Sequence, residues 1–427
     1  MKSNILHISA HLGGGIGSVL LNYLNETKSD PLYQHHILCL DSVNETAQRK
    51  LQTSEIIYKE LMFKRQEDIK TEISKADIVI IHWWNHPLLY EFIVKNKLPA
   101  SRVVFWSHVS GFDVPQVFSN ALFDYVDYFI FSTPISYLTK TFKEYLGDKQ
   151  KFDDIWSTGG LQHVHNIQKK EHDEFIVGYI GTLDYAKIYP NFIDLCSKIN
   201  IKNVKFIICG DGDFTEFEKK IKEKDIQDKF LFTGFVKDIR PYLEIFDVFG
   251  YPLNKNHYGT CDQALAEAMG SSTVPIVFDN AMENNMVEDM NTGLIVSYED
   301  SYVNAILKLY NDKTLRVKLA TNAKKEALKK FSIDSTIQKW NCLFDKALKK
   351  QKTEKIWSGK YYGINTSPYE IFLESIGDSS KIFDNNDTKE IKRFLSATKA
   401  WDSKTKGSIH HYLNFFEDEK LKQWSML

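Results

Sequence analysis

The stretch that decides the fold reads FIVGYI followed by GTLDYAK, residues 175–187. Six residues rich in β-branched and aromatic side chains predict a buried strand, and a glycine-containing loop follows them directly. Longer helical patterns and further short apolar runs come after this loop. Alternation of this kind predicts a parallel sheet with helices on both faces.

The same alternation precedes residue 175, so the chain contains two successive series of strands and helices. One sheet of eleven strands would be unusually large, and two doubly wound α/β units are therefore expected. The predicted strands are Asn4–Ser9, His36–Leu40, Asp77–His82, Arg102–Trp106 and Tyr128–Phe131 in the first series, and Phe175–Ile180, Val204–Ile208, Phe230–Phe232, Val248–Tyr251, Val274–Val277 and Leu294–Val296 in the second.

Charged segments mark the predicted domain boundaries, because Gln168–Glu174 and Lys349–Lys355 contain few apolar residues. We expect a first Rossmann-like domain at residues 1–170, a second at 171–350 and an extension at 351–427. The extension is rich in aromatic residues, which predicts an ordered and mainly helical appendage.

The composition argues against several classes of partner and site. The 54 Lys and Arg against 56 Asp and Glu give a net charge of −2, which argues against a nucleic-acid partner. Five scattered cysteines without a C-x-x-C spacing argue against a disulfide framework or a zinc site. The N-terminal residues lack the pattern of a signal peptide, and no window is apolar enough for a membrane span. We therefore expect a cytoplasmic protein.

Two loops offer groups that suit anionic ligands. Gly13, Gly14 and Gly15 lie between a predicted strand and helix, where backbone can approach a ligand and helix N–H groups can bind anions. A structural tight turn explains them equally well. Lys187 follows a strand at the edge where doubly wound sheets bind ligands, and its charge suits a diphosphate. The alternative is a solvated surface lysine.

Three further features have both a functional and a structural interpretation. Gly210 follows a strand and either approaches a ligand or forms a plain turn. Glu267 lies on the predicted helix Asp262–Met269 among small apolar residues, where a ribose diol would serve as its partner, unless it is a surface glutamate. His108 follows a first-series strand and is either structural or part of the site. The aromatic run His82–His86 either stacks on a sugar or packs in the core.

Taken in order, these motifs resemble the retaining glycosyltransferases of the GT-B architecture, family 4 in the usual classification. The resemblance covers about residues 4–350 and is carried by Gly181–Lys187, Gly210–Gly212, Phe232–Phe235 and Glu267–Met269. It implies two doubly wound domains that face a central cleft, with the acceptor side on the first domain and the nucleotide sugar on the second. The extension resembles one found in some bacterial members.

The resemblance also assigns roles. Lys187 would contact the donor diphosphate, Glu267 the ribose hydroxyls, and His108 the transferred sugar. The Gly13–Gly15 loop would approach donor sugar and phosphate, and backbone at Phe235 would hold the base. The implied set comprises His108, Lys187 and Asp262 at the reacting atoms, with Gly13, Gly14, Gly15, Thr182, Gly210, Phe235, Gly259, Thr260, Cys261 and Glu267 as further donor contacts.

Two positions depart from the family pattern. Thr182 stands where members commonly have an arginine that pairs with the phosphate-binding lysine, and Gly259 stands where they have the first of two glutamates. Asp262, or backbone N–H groups around Thr260 and Cys261, are the expected substitutes. The contact with the donor sugar depends on these substitutes.

The implied activity is transfer of a hexose from a UDP- or GDP-sugar, without metal or cofactor and with retention, to a glycan or lipid-linked acceptor of bacterial surface polysaccharide synthesis. The alternatives are a degenerate scaffold subunit that binds a partner enzyme and, within the GT-B enzymes, a nucleotide-sugar epimerase. Lys140, Lys143 and Lys149 suit either contact with the inner face of the cytoplasmic membrane or a solvated charged surface. The extension suits either a homodimer contact, acceptor binding or coverage of apolar surface.

Overall fold

The computed structural model describes residues 2–185, 187–255, 257, 261–297 and 299–427. Within these residues the strands are β1 Ser3–Ser9, β2 Tyr33–Cys39, β3 Ile57–Lys59, β4 Ile78–Trp83, β5 Leu98–Ser101, β6 Val103–Ser107, β7 Tyr128–Phe131, β8 Phe152–Asp154, β9 Phe175–Ile180, β10 Val204–Cys209, β11 Phe230–Gly234, β12 Val248–Tyr251, β13 Val274–Phe278, β14 Leu294–Val296 and β15 Thr353–Lys355.

The α-helices of the same part of the chain are α1 Gly14–Thr27, α2 Glu45–Thr53, α3 Gln66–Lys75, α4 Pro87–Lys95, α5 Asn120–Tyr125, α6 Lys140–Glu144, α7 Phe192–Ser197, α8 Thr215–Glu223, α9 Arg240–Leu243, α10 Gln263–Gly270, α11 Glu283–Met286, α12 Glu299–Asn311, α13 Lys313–Phe331, α14 Ile333–Leu348, α15 Pro368–Ser375, α16 Thr388–Ala397, α17 Ile409–Leu413 and α18 Glu419–Ser425. Short 3₁₀ turns lie at Pro134–Leu138, Lys149–Lys151, Gln227–Lys229 and Gly377–Phe383.

The chain forms two compact units, one made of residues 1–159 with 336–427 and the other of residues 160–335. The sequence placed the boundaries at 170/171 and 350/351, so the observed divisions come earlier in both cases. The second unit is therefore a continuous segment, and the first unit is built from two separate stretches of the chain.

The first unit contains, among the described residues, a seven-stranded sheet in the order β3-β2-β1-β4-β6-β7-β8. Its strand pairs are parallel, and every residue of β4 is buried. A continuously apolar strand of this kind is expected where helices cover both faces of a sheet. Trp83 and Trp84 of the aromatic run at 82–86 are buried, so core packing is the interpretation that the structure supports.

The segment 351–427 belongs to the first unit. Its strand β15 pairs antiparallel with β5, and α15 to α18 follow. Its aromatic side chains Trp357, Phe372, Tyr412 and Trp424 are buried in the same apolar cluster as the core of the first sheet. The segment contributes four α-helices among the described residues, and it completes a core.

The second unit contains, within the described residues, a six-stranded parallel sheet in the order β11-β10-β9-β12-β13-β14. Both sheets are doubly wound, as the sequence predicted. The predicted strands at 128–131, 175–180, 248–251 and 294–296 have the observed bounds. Strands β3, β5, β8 and β15 were not predicted, because each has only three or four residues and these show no clear apolar alternation. Among the described helices, none combines the length and apolar character needed to cross a membrane.

Candidate functional site

The candidate site lies at the carboxyl edge of the second sheet, where three successive loops are bonded together. Gly181 N–H donates to the carbonyl of Cys209, and Gly210 N–H donates to the carbonyl of Gly234. Leu183 N–H donates to the carbonyl of Asp211. The loops after β9, β10 and β11 therefore form one backbone network at the edge where doubly wound sheets bind ligands.

Gly210 is required by this network. Its φ is +157°, and a Cβ atom added there would lie 1.9 Å from the carbonyl oxygen of Gly181. No side chain fits in that space, so the close approach of the two loops depends on glycine. Gly210 thus has a demonstrated structural role, and the sequence had left a plain turn as the alternative to ligand contact.

Lys187 points back toward the start of α10. Its Nζ lies 3.8 Å from Oδ1 of Asp262 and 5.5 Å from the ring centroid of Tyr251. Tyr251 donates its hydroxyl hydrogen to the same Oδ1 at 3.2 Å. The lysine side chain is 17% exposed, so it is largely buried and is not a solvated surface lysine. Two residues predicted to act at the reacting atoms, Lys187 and Asp262, are therefore neighbours.

A second acid–base pair lies beside this one. His257 Nε2 is 2.9 Å from Oε1 of Glu283, and both side chains are almost completely buried. Burial raises the pKa of Glu283 despite its contact with His257. Burial alone would lower the pKa of His257, but the hydrogen bond and charge of Glu283 raise it overall. Both shifts favour the protonated form of the group concerned.

His257, Asp262 and Glu283 together are a candidate metal set among the described residues, because one ligand atom of each lies within 4.8 Å of the others. Imidazole nitrogen and two carboxylates suit several divalent ions. The sequence predicted no metal, and His257 and Glu283 were not named as site residues. Glu283 begins the short helix after β13, and an acid at that edge is the signal that could have identified it.

Glu267 is buried on α10, which excludes the surface glutamate that the sequence had left open. Its Oε1 is 2.9 Å from His163 Nε2 and accepts a hydrogen bond from Gln263 Nε2 at 2.9 Å. Its Oε2 has no hydrogen-bond partner among the described residues. One carboxylate oxygen is thus held by protein and the other is available to a ligand. His163 and Gln263 were not predicted.

The remaining predicted donor contacts have varied surroundings. Thr182 is exposed and its carbonyl accepts from the Tyr179 hydroxyl. Phe235 is 77% exposed, as suits a residue that offers backbone rather than packing. Cys261 is half-buried, and burial raises the pKa of its thiol. Gly259 and Thr260 lie outside the described residues.

The glycine loop of the first unit opens a long helix. Gly13 precedes α1 without a side-chain cap, and Gly14 and Gly15 are exposed. A Cβ atom added to Gly14 or Gly15 would meet nothing within 4 Å among the described residues. The space beside Gly14 and Gly15 is therefore open, and the free N–H groups at the start of a helix favour negative charge.

His108 lies directly after β6 and is buried. Its Nδ1 is 3.0 Å from Ser157 Oγ, and its Nε2 is 3.0 Å from Nδ1 of His82. Both ring nitrogens thus have partners inside the first unit. Sequence reasoning named His108 but did not foresee His82 or Ser157 as its partners.

The site residues fall into two groups. Lys187, Asp262 and Glu267 belong to the second unit; Asp262 directly precedes α10, and Glu267 lies in the middle of that helix. Gly13–Gly15 and His108 belong to the first unit. Their predicted roles toward a ligand stay predictions.

Comparison with known proteins gives this arrangement a family context. Residues 162–326, most of the second unit, match the family model described as glycosyl transferases group 1. The crystal structure of HepE from Anabaena in complex with UDP is similar over 81% of this chain and all of that chain, with a TM-score of 0.63 and 16% identity. The chain has the GT-B fold.

Two curated relatives of this GT-B chain are bacterial. Poly(ribitol-phosphate) α-N-acetylglucosaminyltransferase of Staphylococcus aureus is 24% identical over 199 residues, which are 45% of this chain and 40% of that protein. UDP-Gal:α-D-GlcNAc-diphosphoundecaprenol α-1,3-galactosyltransferase of Escherichia coli is 25% identical over 207 residues, which are 46% of this chain and 51% of that protein. The chain therefore spans about half or less of the length of these two relatives.

Proposed function

We propose that this GT-B chain is a retaining glycosyltransferase of the family 4 type, which moves a hexose from a UDP- or GDP-sugar to a glycan or lipid-linked acceptor in bacterial surface polysaccharide synthesis. The observation that carries the proposal is the Lys187–Asp262 pair at the carboxyl edge of the second sheet, within the segment that matches group 1 glycosyl transferases. The names of the two relatives, with UDP-galactose as a donor and diphosphoundecaprenol-linked and poly(ribitol-phosphate) acceptors, support this substrate class.

Lys187 would stabilise the departing diphosphate. Its ammonium group has three donors, and its 3.8 Å separation from Asp262 leaves donors for phosphate oxygens. In a largely buried position, such a charge is worth more than it is in water. The acceptor hydroxyl would bond to the anomeric carbon on the face from which the diphosphate leaves, and its proton would pass to the departing phosphate oxygen. The anomeric configuration is then retained.

Glu267 would bind the ribose through its unpartnered Oε2. His163 and Gln263 hold Oε1, so the carboxylate is oriented before the nucleotide arrives. A carboxylate accepts hydrogen bonds only, and a ribose diol supplies two donors. The interaction therefore selects a nucleotide with free ribose hydroxyls.

The Glu267 role can be tested with a double-mutant cycle. Glu267→Ala should weaken binding of UDP or GDP by about 10- to 100-fold, since hydrogen bonds to a charged group are worth roughly 1.5–3 kcal/mol. In calorimetric titrations, the wild-type chain should bind the 2′-deoxy nucleotide more weakly than the ordinary nucleotide by a similar factor. The variant should bind the two nucleotides with nearly equal affinity. Glu288→Ala, which changes an acid of the same unit away from α10, is the control. If the losses of affinity caused by Glu267→Ala and by removal of the 2′-hydroxyl add in full, Glu267 has another role.

We propose that transfer is independent of metal, because Lys187 supplies the cation beside Asp262. The donor screen that tests the function also tests this point: UDP- and GDP-sugars are incubated with the chain and glycan acceptors, with and without EDTA. We expect turnover of one donor class, unchanged by EDTA. A requirement for Mg²⁺ or Mn²⁺ would instead assign the metal to His257, Asp262 and Glu283, and His257→Gln should then abolish activation by the ion.

The scaffold subunit is the second candidate, and Thr182 is the observation that favours it. An exposed threonine occupies the position of the arginine that supports phosphate binding in similar enzymes. Nucleotide binding separates the two candidates, because a ligand at 100 times its Kd stabilises the folded chain by about 2.7 kcal/mol. A folded chain whose melting temperature is unchanged by UDP and by GDP would favour the scaffold.

A lipid-linked acceptor would lie at the inner face of the cytoplasmic membrane. We therefore propose that the chain is cytoplasmic and binds this face peripherally. Lys140 and Lys143 lie on α6, and Lys149 follows with its Nζ 5.2 Å from the ring centroid of Phe142. Such lysines are attracted to anionic headgroups at about 1 kcal/mol each near the surface. Flotation with phosphatidylglycerol vesicles tests this location.

A further inference from the structure

Four histidines form a continuous hydrogen-bonded chain across the first sheet. Nδ1 of His35 lies 2.9 Å from Nε2 of His7, and Nδ1 of His7 lies 3.0 Å from Nε2 of His82. Nδ1 of His82 lies 3.0 Å from Nε2 of His108, and Nδ1 of His108 lies 3.0 Å from Ser157 Oγ. Each step joins the Nδ1 atom of one ring to the Nε2 atom of the next. We call these residues the histidine chain.

The register of the sheet produces this arrangement. The histidines come from β2, β1, β4 and the residue after β6, which are neighbouring positions in the sheet. Each histidine lies two positions further along its strand than the one before, so all four share one face of the sheet. The register partners are Ile5 with His35, His7 with Ile80, and His82 with Trp106.

Burial keeps the histidine chain neutral. It lowers the pKa of His82 to about 3 and that of His35 to about 4. The pKa values of His7 and His108 also lie well below the ordinary value, first because of burial and then because of neighbouring histidines. The neighbouring titratable groups that act on the chain are Asp30, which opposes the shift of His35, and His36, which adds to the shifts of His35 and His7.

Aromatic side chains enclose these rings. Tyr23 of α1 lies 5.4 Å from His35 and 6.5 Å from His7, and Phe344 of α14 lies 6.3 Å from His35, between ring centroids. Trp106 lies 5.6 Å from His82 and 4.7 Å from His108. Tyr23 is the titratable group among them, and burial raises the pKa of its hydroxyl, so it stays neutral.

A neutral chain of this kind has only two proton arrangements. A neutral imidazole has one donor nitrogen and one acceptor nitrogen. If His7 donates through Nδ1, then Nε2 of His82 accepts and His82 must donate through its own Nδ1, and the same rule passes to every ring. Either all four rings carry their proton on Nδ1, or all four carry it on Nε2.

The end of the chain at His35 separates the two arrangements. Its Nε2 is buried and has no hydrogen-bond partner among the described residues. With protons on Nε2, the sheet would bury an N–H donor without an acceptor, which is rare in folded proteins. With protons on Nδ1, only a lone pair is left without a partner. The Nδ1-protonated arrangement is therefore favoured, and His108 donates to Ser157.

We propose that His35, His7 and His82 are positioning residues that hold His108 in the Nδ1-protonated tautomer, and that Ser157 consequently turns its own hydroxyl hydrogen outward as a donor. Ser157 is half-buried, and among the described residues its Oγ has His108 as its hydrogen-bond partner. The ligand class that fits is an oxygen acceptor, in a phosphate or a sugar hydroxyl. Only the identity of this ligand rests on the proposed function.

The tautomers can be measured on the resting protein by long-range ¹H–¹⁵N NMR of the histidine rings at about pH 7, where a protonated and an unprotonated ring nitrogen differ strongly in shift. We expect all four rings to be neutral with the proton on Nδ1. An Nε2–H tautomer in any ring, a mixture of tautomers along the chain, or an imidazolium would overturn the proposal. No substrate is needed, so the result is independent of whether the chain transfers sugars.

Variants of His82 test the coupling. His82→Phe removes the donor to His108 and should reduce the Nδ1–H to Nε2–H ratio of His108 by about tenfold, as expected for one hydrogen bond of about 1.4 kcal/mol. His82→Gln keeps one donor and one acceptor and should restore most of that ratio. His36→Gln, on the same strand as His35 but outside the chain, is the control. An unchanged His108 ratio in His82→Phe would overturn the coupling.

The Ser157 donor is tested with two probes, inorganic phosphate and glucose, titrated separately. Binding of either should shift the His108 Nδ1–H resonance in the wild-type chain and in Ser157→Thr, which keeps the hydroxyl, but not in Ser157→Ala. A shift with phosphate indicates that the ligand oxygen that accepts from Ser157 belongs to the donor diphosphate. A shift with glucose indicates that it belongs to a sugar hydroxyl. No shift with either probe would overturn the assignment of a ligand to Ser157.

Discussion

Replacing Lys187 with alanine is expected to lower kcat/KM for the nucleotide sugar by about 10²- to 10³-fold, the usual loss when one group that stabilises developing charge is removed. The side chain is largely buried, so water replaces its charge poorly. Steady-state kinetics with the donor found by the screen gives the measurement. Most of the loss should appear in kcat, because the charge on the leaving phosphate grows in the transition state.

Lys220→Ala is the matched control for this experiment. Lys220 belongs to the same unit and contacts Tyr185, two positions from Lys187 in the chain. Its removal should change kcat/KM by less than about fivefold, which corresponds to about 1 kcal/mol. Lys187→Ala also leaves the buried Asp262 without its cation, so the melting temperature of each variant must be compared. Wild-type turnover by a folded Lys187→Ala chain would reject the phosphate assignment.

Mild acid is expected to destabilise the first unit. The pKa values of His7, His35, His82 and His108 in the folded chain lie below the unfolded value of about 6.5. As the pH falls below that value, the unfolded chain binds protons that the folded chain does not. The free energy of unfolding therefore has its full value above about pH 6.5 and declines as the pH falls toward about 4. Between pH 7 and 5.5 the expected loss is roughly 1 kcal/mol for each histidine, or about 4 kcal/mol in all.

Tryptophan fluorescence can follow this loss selectively, since all eight tryptophans lie in residues 1–159 or 336–427. Urea unfolding at about pH 7 and pH 5.5 gives the two free energies. His82→Gln should reduce the loss by about 1 kcal/mol, whereas Gln34→Ala, a change of an exposed residue of β2 that does not titrate, should leave it unchanged. A loss below about 1 kcal/mol in the wild type would mean that the histidines are charged in the folded chain.

The sequence predicted the second unit more fully than the first. The strand Phe175–Ile180 has the predicted bounds, and Lys187 lies at the carboxyl edge, because strand and loop patterns are local and the edge follows from the parallel topology. The helix that bears Glu267 was also expected. The pairing of Glu283 with His257 was not, since it joins loops after two different strands and depends on where the chain turns.

The histidine chain could not have been predicted for a related reason. His7, His35, His82 and His108 are single residues on or directly after separate strands, and their spacing in the sequence does not relate one to another. Whether they meet depends on the relative register of neighbouring strands, and a shift of one residue would place a ring on the opposite face. The docking of Trp357 and Trp424 into the first core likewise depends on contacts between residues far apart in sequence.

The first unit is made from two stretches of chain, with the whole second unit between them. During synthesis on the ribosome, the apolar surfaces of the first sheet therefore emerge long before Phe372, Tyr412 and Trp424 that cover them. The inserted segment can fold as soon as it has left the exit tunnel, whereas the earlier stretch must wait for the last residues. A nascent chain arrested before those residues should consequently recruit chaperones, and the full-length chain should release them.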